Sequence, residues 1–267
     1  MHSNAPRQFF TEVFLMLVFY VRHGDPIYDP DMLTPFGEEQ ARALSERLAL
    51  FGIDEIYSSS SNRAMQTAKP LCQRLGKELT TLDFLHEGTL DRLTVPYTDR
   101  DGSAWIWAHP KYSEVLCSKE VRELGDRWYM HPSLEHFHLE ELILPIYDRL
   151  DDFFASHGYE HDREKGLYRV THRQPEKRIA IFAHECMGKI FMSGMLDIPF
   201  PQYAAHFEMH TSAFSVIRFD DGVLQTTEGK PPFPYARARV LSLSNDSHLY
   251  GNGIDMTHKF TRLREKY

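Results

Sequence analysis

From Val13 to Val21 the chain runs through β-branched, aromatic and other apolar residues with no charge, and then stops on Arg22-His23-Gly24. The run is too short to cross a membrane, so it fits a strand buried on both faces of a parallel sheet. In an open sheet of that kind a ligand binds beyond the carboxyl ends of the strands, which is where Arg22, His23 and Gly24 stand. Arginine can grip phosphate with two parallel hydrogen bonds, and histidine can act as nucleophile or base. Glycine lets the backbone come close to an anion or take a positive φ.

The segments that follow keep an alternating rhythm. An Asp- and Pro-rich turn, Asp25 to Asp31, leads to a helix with Thr34 as N-cap and Pro35 in its first position, closed by Gly52. Ala41, Leu44 and Leu48 form its buried stripe. Ile53 to Tyr57 reads as a short strand. The polar loop Ser58 to Ser61 then passes to a helix that begins near Arg63 and ends at Gly76, with Ala64, Ala68, Leu71 and Leu75 as its apolar face. Leu79 to Leu85 reads as the next strand, with Glu87-Gly88 directly after it. The order β-α-β-α-β implies an α/β fold, doubly wound, with a mostly parallel sheet and helices on both faces.

Between about residues 89 and 176 the rhythm breaks, with prolines at 96, 110, 132 and 145 and tryptophans at 105 and 107. This is expected to be a largely helical insertion, a lid or cap on a single domain covering 1–267. Its second half predicts a helix over Leu139 to Phe154 that Pro145 should kink or shorten. Trp105 and Trp107 suit packing within the insertion. The sheet resumes at Arg178 to Ala183, which ends on His184-Glu185 and passes into a helix over Met187 to Leu196. Ser212 to Phe219, a turn at Asp220-Asp221-Gly222, and the segments Val223 to Thr227 and Val240 to Leu243 read as a hairpin and a return to the sheet.

The composition limits the partners. Its 267 residues, 42% of them hydrophobic, can fill a large core. A formal charge of -8 argues against nucleic acid as the main partner. Cys72, Cys117 and Cys186 are odd in number and far apart, which disfavours a disulfide framework or a Cys-based zinc site and favours a reducing compartment, the cytoplasm. Glu12 interrupts the early apolar stretch and no small-residue cleavage site precedes Arg22, so no membrane association is expected. Met1 to Thr11 has no periodicity and reads as an extension, with Met16 as an alternative start. His131, His136 and His138 have metal-like spacing but lack a companion carboxylate or cysteine pattern, so no metal is expected. A homo-oligomer is compatible with the sequence.

Two strands therefore end in histidine, one helix begins with arginine, and a carboxylate follows a third strand. Arg22-His23-Gly24, then Leu33-Thr34-Pro35-Phe36-Gly37 with Gln40-Ala41, then Ser60 to Ala68 as SSNRAMQTA, then Ala183-His184, resemble in this order the histidine phosphatase superfamily, also called phosphoglycerate-mutase-like, branch 1. The resemblance covers residues 17–88 and 178–200 and, more loosely, 239–250. It implies a transient phosphohistidine on His23. Arg22, Arg63 and His184 would hold the phosphoryl group, and Glu87 would give a proton to the leaving oxygen. It implies no cofactor, because two guanidiniums and an imidazolium supply the electrostatic stabilisation that phosphoryl transfer needs. His23 would need a hydrogen bond from its second ring nitrogen to a backbone carbonyl to fix the reactive tautomer. Glu87 would need a pKa raised by partial burial.

Three positions depart from the family pattern: Pro26 stands where threonine or serine is common, Asp29 where asparagine is usual, and Glu185 where glycine commonly follows the second histidine. Asp29 is a poor neighbour for phosphate, which speaks for a substrate other than phosphoglycerate. Glu185 is a further candidate substrate-binding group or acid. As a charge it is favoured at a helix start, which makes it a weaker proton donor than Glu87. The expectation is a metal-independent phosphomonoesterase for a small phosphorylated metabolite. A phosphoglycerate-mutase-like phosphotransferase and a noncatalytic phosphometabolite-binding protein are the alternatives.

Overall fold

In a computed structural model the described residues are 15–172, 176–221 and 235–254. The expected extension Met1 to Thr11 and the expected strand Val223 to Thr227 lie outside them. Strand β1 is Leu15–Arg22 and helix α1 is Pro35–Ala49, followed by strand β2 Glu55–Ser58, helix α2 Asn62–Leu75 and strand β3 Leu79–Thr81. Next come α3 Leu139–Ser156 and the strands β4 Tyr159–Asp162 and β5 Leu167–Val170. The chain then forms β6 Arg178–Ala183, α4 Glu185–Leu196, α5 Phe200–His206, β7 Phe214–Asp221 and β8 Tyr235–Asn245.

All eight of these strands form one sheet in the order β3-β2-β6-β1-β7-β8-β5-β4. From β3 to β1 the pairings are parallel, and from β1 onward they are antiparallel. The parallel half is the one read from the β-α-β-α-β rhythm. In the other half β7 runs antiparallel between β1 and β8, β5 pairs antiparallel with β8, and β4-β5 is a hairpin, a connection that antiparallel pairing permits without a crossover helix.

Alternation along β1 divides the core. Met16, Val18 and Tyr20 point to one face and join Ile179, Ile181 and Ala183 of β6, together with apolar residues of α3 and α4. Phe19 and Val21 point to the other face and join Ala180, Phe182 and the α1 and α2 residues Leu44, Leu48, Ala68 and Leu71. A central strand covered on both sides is apolar throughout for this reason. Helix α1 starts where the sequence placed it: the Thr34 hydroxyl accepts the Gly37 N–H at 2.9 Å. Helix α2 ends on Gly76, whose φ of 62° is left-handed.

Four local expectations change. The strand expected over Leu79 to Leu85 stops at Thr81, and 3-10 turns follow at Asp83–Leu85, Glu87–Thr89 and Asp91–Leu93. Strand β3 is a sheet edge, and by leaving it the chain buries Leu85, Leu90 and Leu93 completely. Pro145 does not shorten α3, which runs on through it to Ser156. It lies in the second turn, where the carbonyl it leaves unbonded belongs to exposed Glu141 and can be hydrated. Asp220 and Asp221, expected as a turn, are still strand. The segment 89–176 holds helices Pro110–Leu116, Lys119–Leu124 and α3, but also a ribbon pairing Thr94–Pro96 with Ser103–Trp105 and the hairpin β4-β5, which extends the main sheet. No helix among the described residues is long and apolar enough to cross a membrane.

Candidate active site

Parallel pairing puts Arg22 of β1 opposite Ala183 of β6, so His23 and His184 leave adjacent strands at the same edge. The His23 N–H donates to the Ala183 carbonyl at 2.9 Å, and the imidazole centroids lie 5.2 Å apart. Both rings are buried, His23 at 2% and His184 at 0% exposure. The third strand of the parallel half, β2, ends at Ser58, and the loop beyond it brings Ser59 and Ser61 to His184 Nε2 at 2.9 and 3.3 Å.

His23 Nδ1 lies 2.7 Å from the Gly24 carbonyl oxygen. A carbonyl only accepts, so Nδ1 carries the proton and Nε2 keeps a lone pair. Burial, reinforced by the Arg22 charge, pushes the His23 pKa down to about 3. At neutral pH His23 Nε2 is thus unprotonated, the tautomer that the sequence reading asks for.

His184 departs from the expectation of an imidazolium. Its Nδ1 lies 3.2 Å from Arg63 Nη2, and a guanidinium only donates, so Nδ1 accepts and Nε2–H faces the serines. Burial lowers its pKa to about 2, with His23 and Arg63 adding to the effect. Burial and the Arg63 hydrogen bond thus hold the ring neutral.

Each arginine is aimed by a carboxylate. Arg63 Nη1 donates to Asp31 Oδ1 at 2.7 Å, and Asp31 Oδ2 also accepts the backbone N–H of Asn62 at 2.7 Å, tying the start of α2 to the β1–α1 loop. Arg22 Nη1 donates to Glu185 Oε2 at 2.6 Å and to the Met209 carbonyl. The Nε atoms of both arginines are buried and have no hydrogen-bond partner. Buried donors without acceptors are costly, and an anion that accepts from them removes that cost.

Glu87 stands in a 3-10 turn after β3. Its Oε1 accepts the Cys186 N–H at 3.1 Å, and its Oε2 lies 3.5 Å from Arg63 Nη2 and 3.6 Å from His184 Nδ1. Burial raises its pKa, and the Arg63 and Arg22 charges only partly oppose this.

The structure thus brings the seven residues singled out from the sequence to one sheet edge: Arg63, Glu87, His184 and His23 form one group of neighbours, Arg22 and Glu185 pair directly beside it, and Gly24 binds His23 through its carbonyl. The expected reason for Gly24 changes. Its φ is not positive, and a Cβ there would come within 2.7 Å of the Gly37 carbonyl oxygen. Its bare Cα serves the packing of the loop on α1, while its own carbonyl orients His23. Asp29 is exposed, and Asp31, not Asp29, is the carboxylate that reaches Arg63.

Sequence reasoning missed three contributors. Asp31 was hidden in a segment read only as a turn. Tyr20, fully buried on β1, lies so close to Gly188 that a Cβ there would meet its ring at 2.8 Å, and its hydroxyl donates to the His184 carbonyl at 2.8 Å. Lys189 is 2% exposed with Nζ 3.6 Å from Glu185 Oε1; the i,i+4 spacing of the pair was the available signal. The insertion's histidines do not converge: His131 accepts from the Ser133 N–H, and His136 packs on the Phe137 ring. Among the described residues only His138, Glu140 and Glu141 approach metal-like geometry, and Glu141 is 3.3 Å from Arg92.

Residues 18–129 match the family model for the histidine phosphatase superfamily (branch 1). A probable phosphoglycerate mutase of Salmonella paratyphi A is 27% identical over 42% of this chain and 60% of its own length, so the match spans well under two thirds of that relative. The fold is shared with solved structures. A mycobacterial glucosyl-3-phosphoglycerate phosphatase complexed with VO3 has a TM-score of 0.51 and 17% identity, covering 85% of this chain and 98% of its own. A phosphoserine phosphatase from Entamoeba histolytica in complex with 3-phosphoglyceric acid has a TM-score of 0.52 and 15% identity, covering 88% and 99%. The stretch that matches the histidine phosphatase superfamily (branch 1) model, residues 18–129, is the one that carries Arg22, His23, Arg63 and Glu87.

Proposed function

We propose that this chain is a phosphomonoesterase that acts on a small phosphorylated metabolite, without metal, through a phosphohistidine on His23. The observation that carries this reading is the His23–Gly24 hydrogen bond, which leaves Nε2 unprotonated beside two arginines that each keep a buried donor unsatisfied. In the first step His23 Nε2 attacks phosphorus, the P–O bond to the leaving group breaks, and Glu87 passes its proton to the departing oxygen. The Glu87 carboxylate then takes a proton from water, whose oxygen attacks phosphorus and breaks the N–P bond to release inorganic phosphate. The pKa of Glu87, raised by burial, suits both the giving and the taking. Arg22 and Arg63 supply the stabilisation of the equatorial oxygens.

The mutase alternative is suggested by the name of the Salmonella relative. A mutase must also grip a second anionic group, and here Arg22, Arg63 and Lys189 each already have a carboxylate neighbour. A phosphometabolite sensor has no need of a nucleophile. The free thiols of Cys72, Cys117 and Cys186 are consistent with a cytoplasmic location. The test is a phosphoester panel assayed in EDTA. The reading expects turnover insensitive to chelator and inhibited by vanadate. Dependence on an added divalent metal, transfer to a second substrate in place of water, or binding without turnover would each contradict it.

A further inference from the structure

The one lysine that α4 buries beside this site has no part in the mechanism above. Helix α4 starts at Glu185, directly after His184, and Lys189 follows one turn later. Its ammonium lies 3.6 Å from Glu185 Oε1 and donates to the Ala204 carbonyl at 3.3 Å and to the Phe207 carbonyl, both at the end of α5. The ring of Trp107, from the insertion, lies 5.3 Å from Nζ. The other oxygen of the same carboxylate, Glu185 Oε2, accepts from Arg22 Nη1 at 2.6 Å. Arg22, Glu185 and Lys189 thus form a continuous row from the sheet edge into the interior, with charges of plus, minus and plus.

Burying a lysine is expensive, and a buried cation is held by partners that repay its lost hydration. The carbonyls and Glu185 do so here. The pairing also answers a problem at the site. A carboxylate in contact with Arg22 cancels much of the charge that a phosphoryl group needs, and at short range in a poorly solvated site that cancellation is large. The Lys189 charge restores a net positive row, and its hold on Oε1 leaves Oε2 for Arg22.

We propose that Lys189 is a positioning residue for phosphate binding, acting through Glu185 to aim Arg22 and to offset the carboxylate charge beside the phosphoryl site. The proposal rests on the phosphomonoesterase reading, because it presupposes that Arg22 binds the phosphoryl oxygens. The groups facing the ammonium are Glu185, the Glu208 charge from the loop after α5, the Cys186 thiol, the Trp107 ring and the two carbonyls. Burial lowers the Lys189 pKa from its ordinary value. Loss of its proton at alkaline pH removes the positive end of the row, so phosphate affinity should fall as pH rises through that titration.

A double-mutant cycle on inhibition by vanadate, with inorganic phosphate binding by calorimetry alongside, tests this. Lys189→Met keeps the length and apolar stem of the side chain. It should weaken both anions about tenfold at neutral pH and flatten the alkaline loss of affinity. In a Glu185→Gln background, where no carboxylate charge remains to be offset, Lys189→Met should cost less than twofold. Equal losses in both backgrounds, or no loss in the wild-type background, would overturn the relay. Thermal unfolding of each variant separates these outcomes from misfolding: a Lys189→Met protein that melts like wild type and binds like wild type shows the lysine to be packing only. Wild-type protein that binds neither anion defeats the phosphomonoesterase reading itself, a different result from intact wild-type binding that ignores Lys189.

Discussion

At the scale of single residues the site is a set of charges whose neighbours settle their protonation. Glu87 and Glu185 were both candidate acids, and their surroundings separate them. Glu87 is desolvated and its pKa raised, whereas Glu185 is held between Arg22 and Lys189. Glu87→Gln should lower turnover of an alkyl phosphate by about 10²-fold, the usual size of a lost general acid. The loss should shrink for nitrophenyl phosphate, whose leaving group scarcely needs a proton. Glu185→Gln should not show this dependence on leaving group; if it does, the assignment is reversed. The histidines predict the response to acid. His23, His184 and His248 have folded pKa values lowered to about 3, 2 and 4, while histidine in the unfolded chain titrates near its ordinary value of about 6.5. Below that value the unfolded state binds more protons, so these groups contribute stability that is fully present above pH 6.5 and is lost as pH falls toward their folded values. Urea midpoints should therefore drop steadily from pH 7 to pH 4. A midpoint unchanged over that range would mean that the rings are not buried neutral.

Elements explain why the candidate site residues were legible in the sequence and their supports were not. A strand that ends on His23 or His184 announces itself locally, through a charge-free run and an abrupt polar stop, and the parallel register then does the rest. Arg63 announces itself by standing at the start of a helix. Asp31, Tyr20 and Lys189 act across distant elements, and no local pattern singles them out beyond the i,i+4 spacing of Glu185 and Lys189. Hairpin β4-β5 escaped notice because its strands are short, and the apolar run after β3 read as strand because leucines that bury on 3-10 turns look the same in sequence. The loop from β1 to α1 offers a stability test at this scale. A Cβ on Gly37 would lie 2.2 Å from the Asp25 carbonyl oxygen, and the atoms it would meet are all Asp25 backbone, which cannot rotate away as a side chain can. Gly37→Ala should cost about 1–3 kcal/mol, as overpacking does, and should also reduce activity by shifting Gly24. Gly76→Ala at the end of α2 meets nothing within 4 Å and has only its left-handed φ to bear, about 1–2 kcal/mol, with activity unchanged. Urea titration of both variants distinguishes a packing constraint at Gly37 from a conformational one.

Over the whole molecule the insertion and the sheet share one core. Ile106, Leu116, Val121, Trp128 and Leu134 belong to the same buried cluster as Val18, Tyr20 and the apolar face of α4. All three tryptophans, 105, 107 and 128, lie within residues 89–176, so their fluorescence reports on that segment while circular dichroism reports on the whole. The two signals should lose their folded values together in denaturant; an earlier fluorescence transition would show that the insertion is a separate unit. The central claim is that His23 becomes phosphorylated on nitrogen while Arg22 and Arg63 hold the phosphoryl oxygens. The most direct measurement is acid-free rapid quench of the wild-type protein with ³²P-labelled substrate, followed by mapping of the labelled peptide. The account predicts label on the peptide that contains His23, stable in base and labile in acid as an N–P bond is, and absent from a folded His23→Ala protein. Label on another residue, or an adduct stable in acid and labile in base, would contradict it.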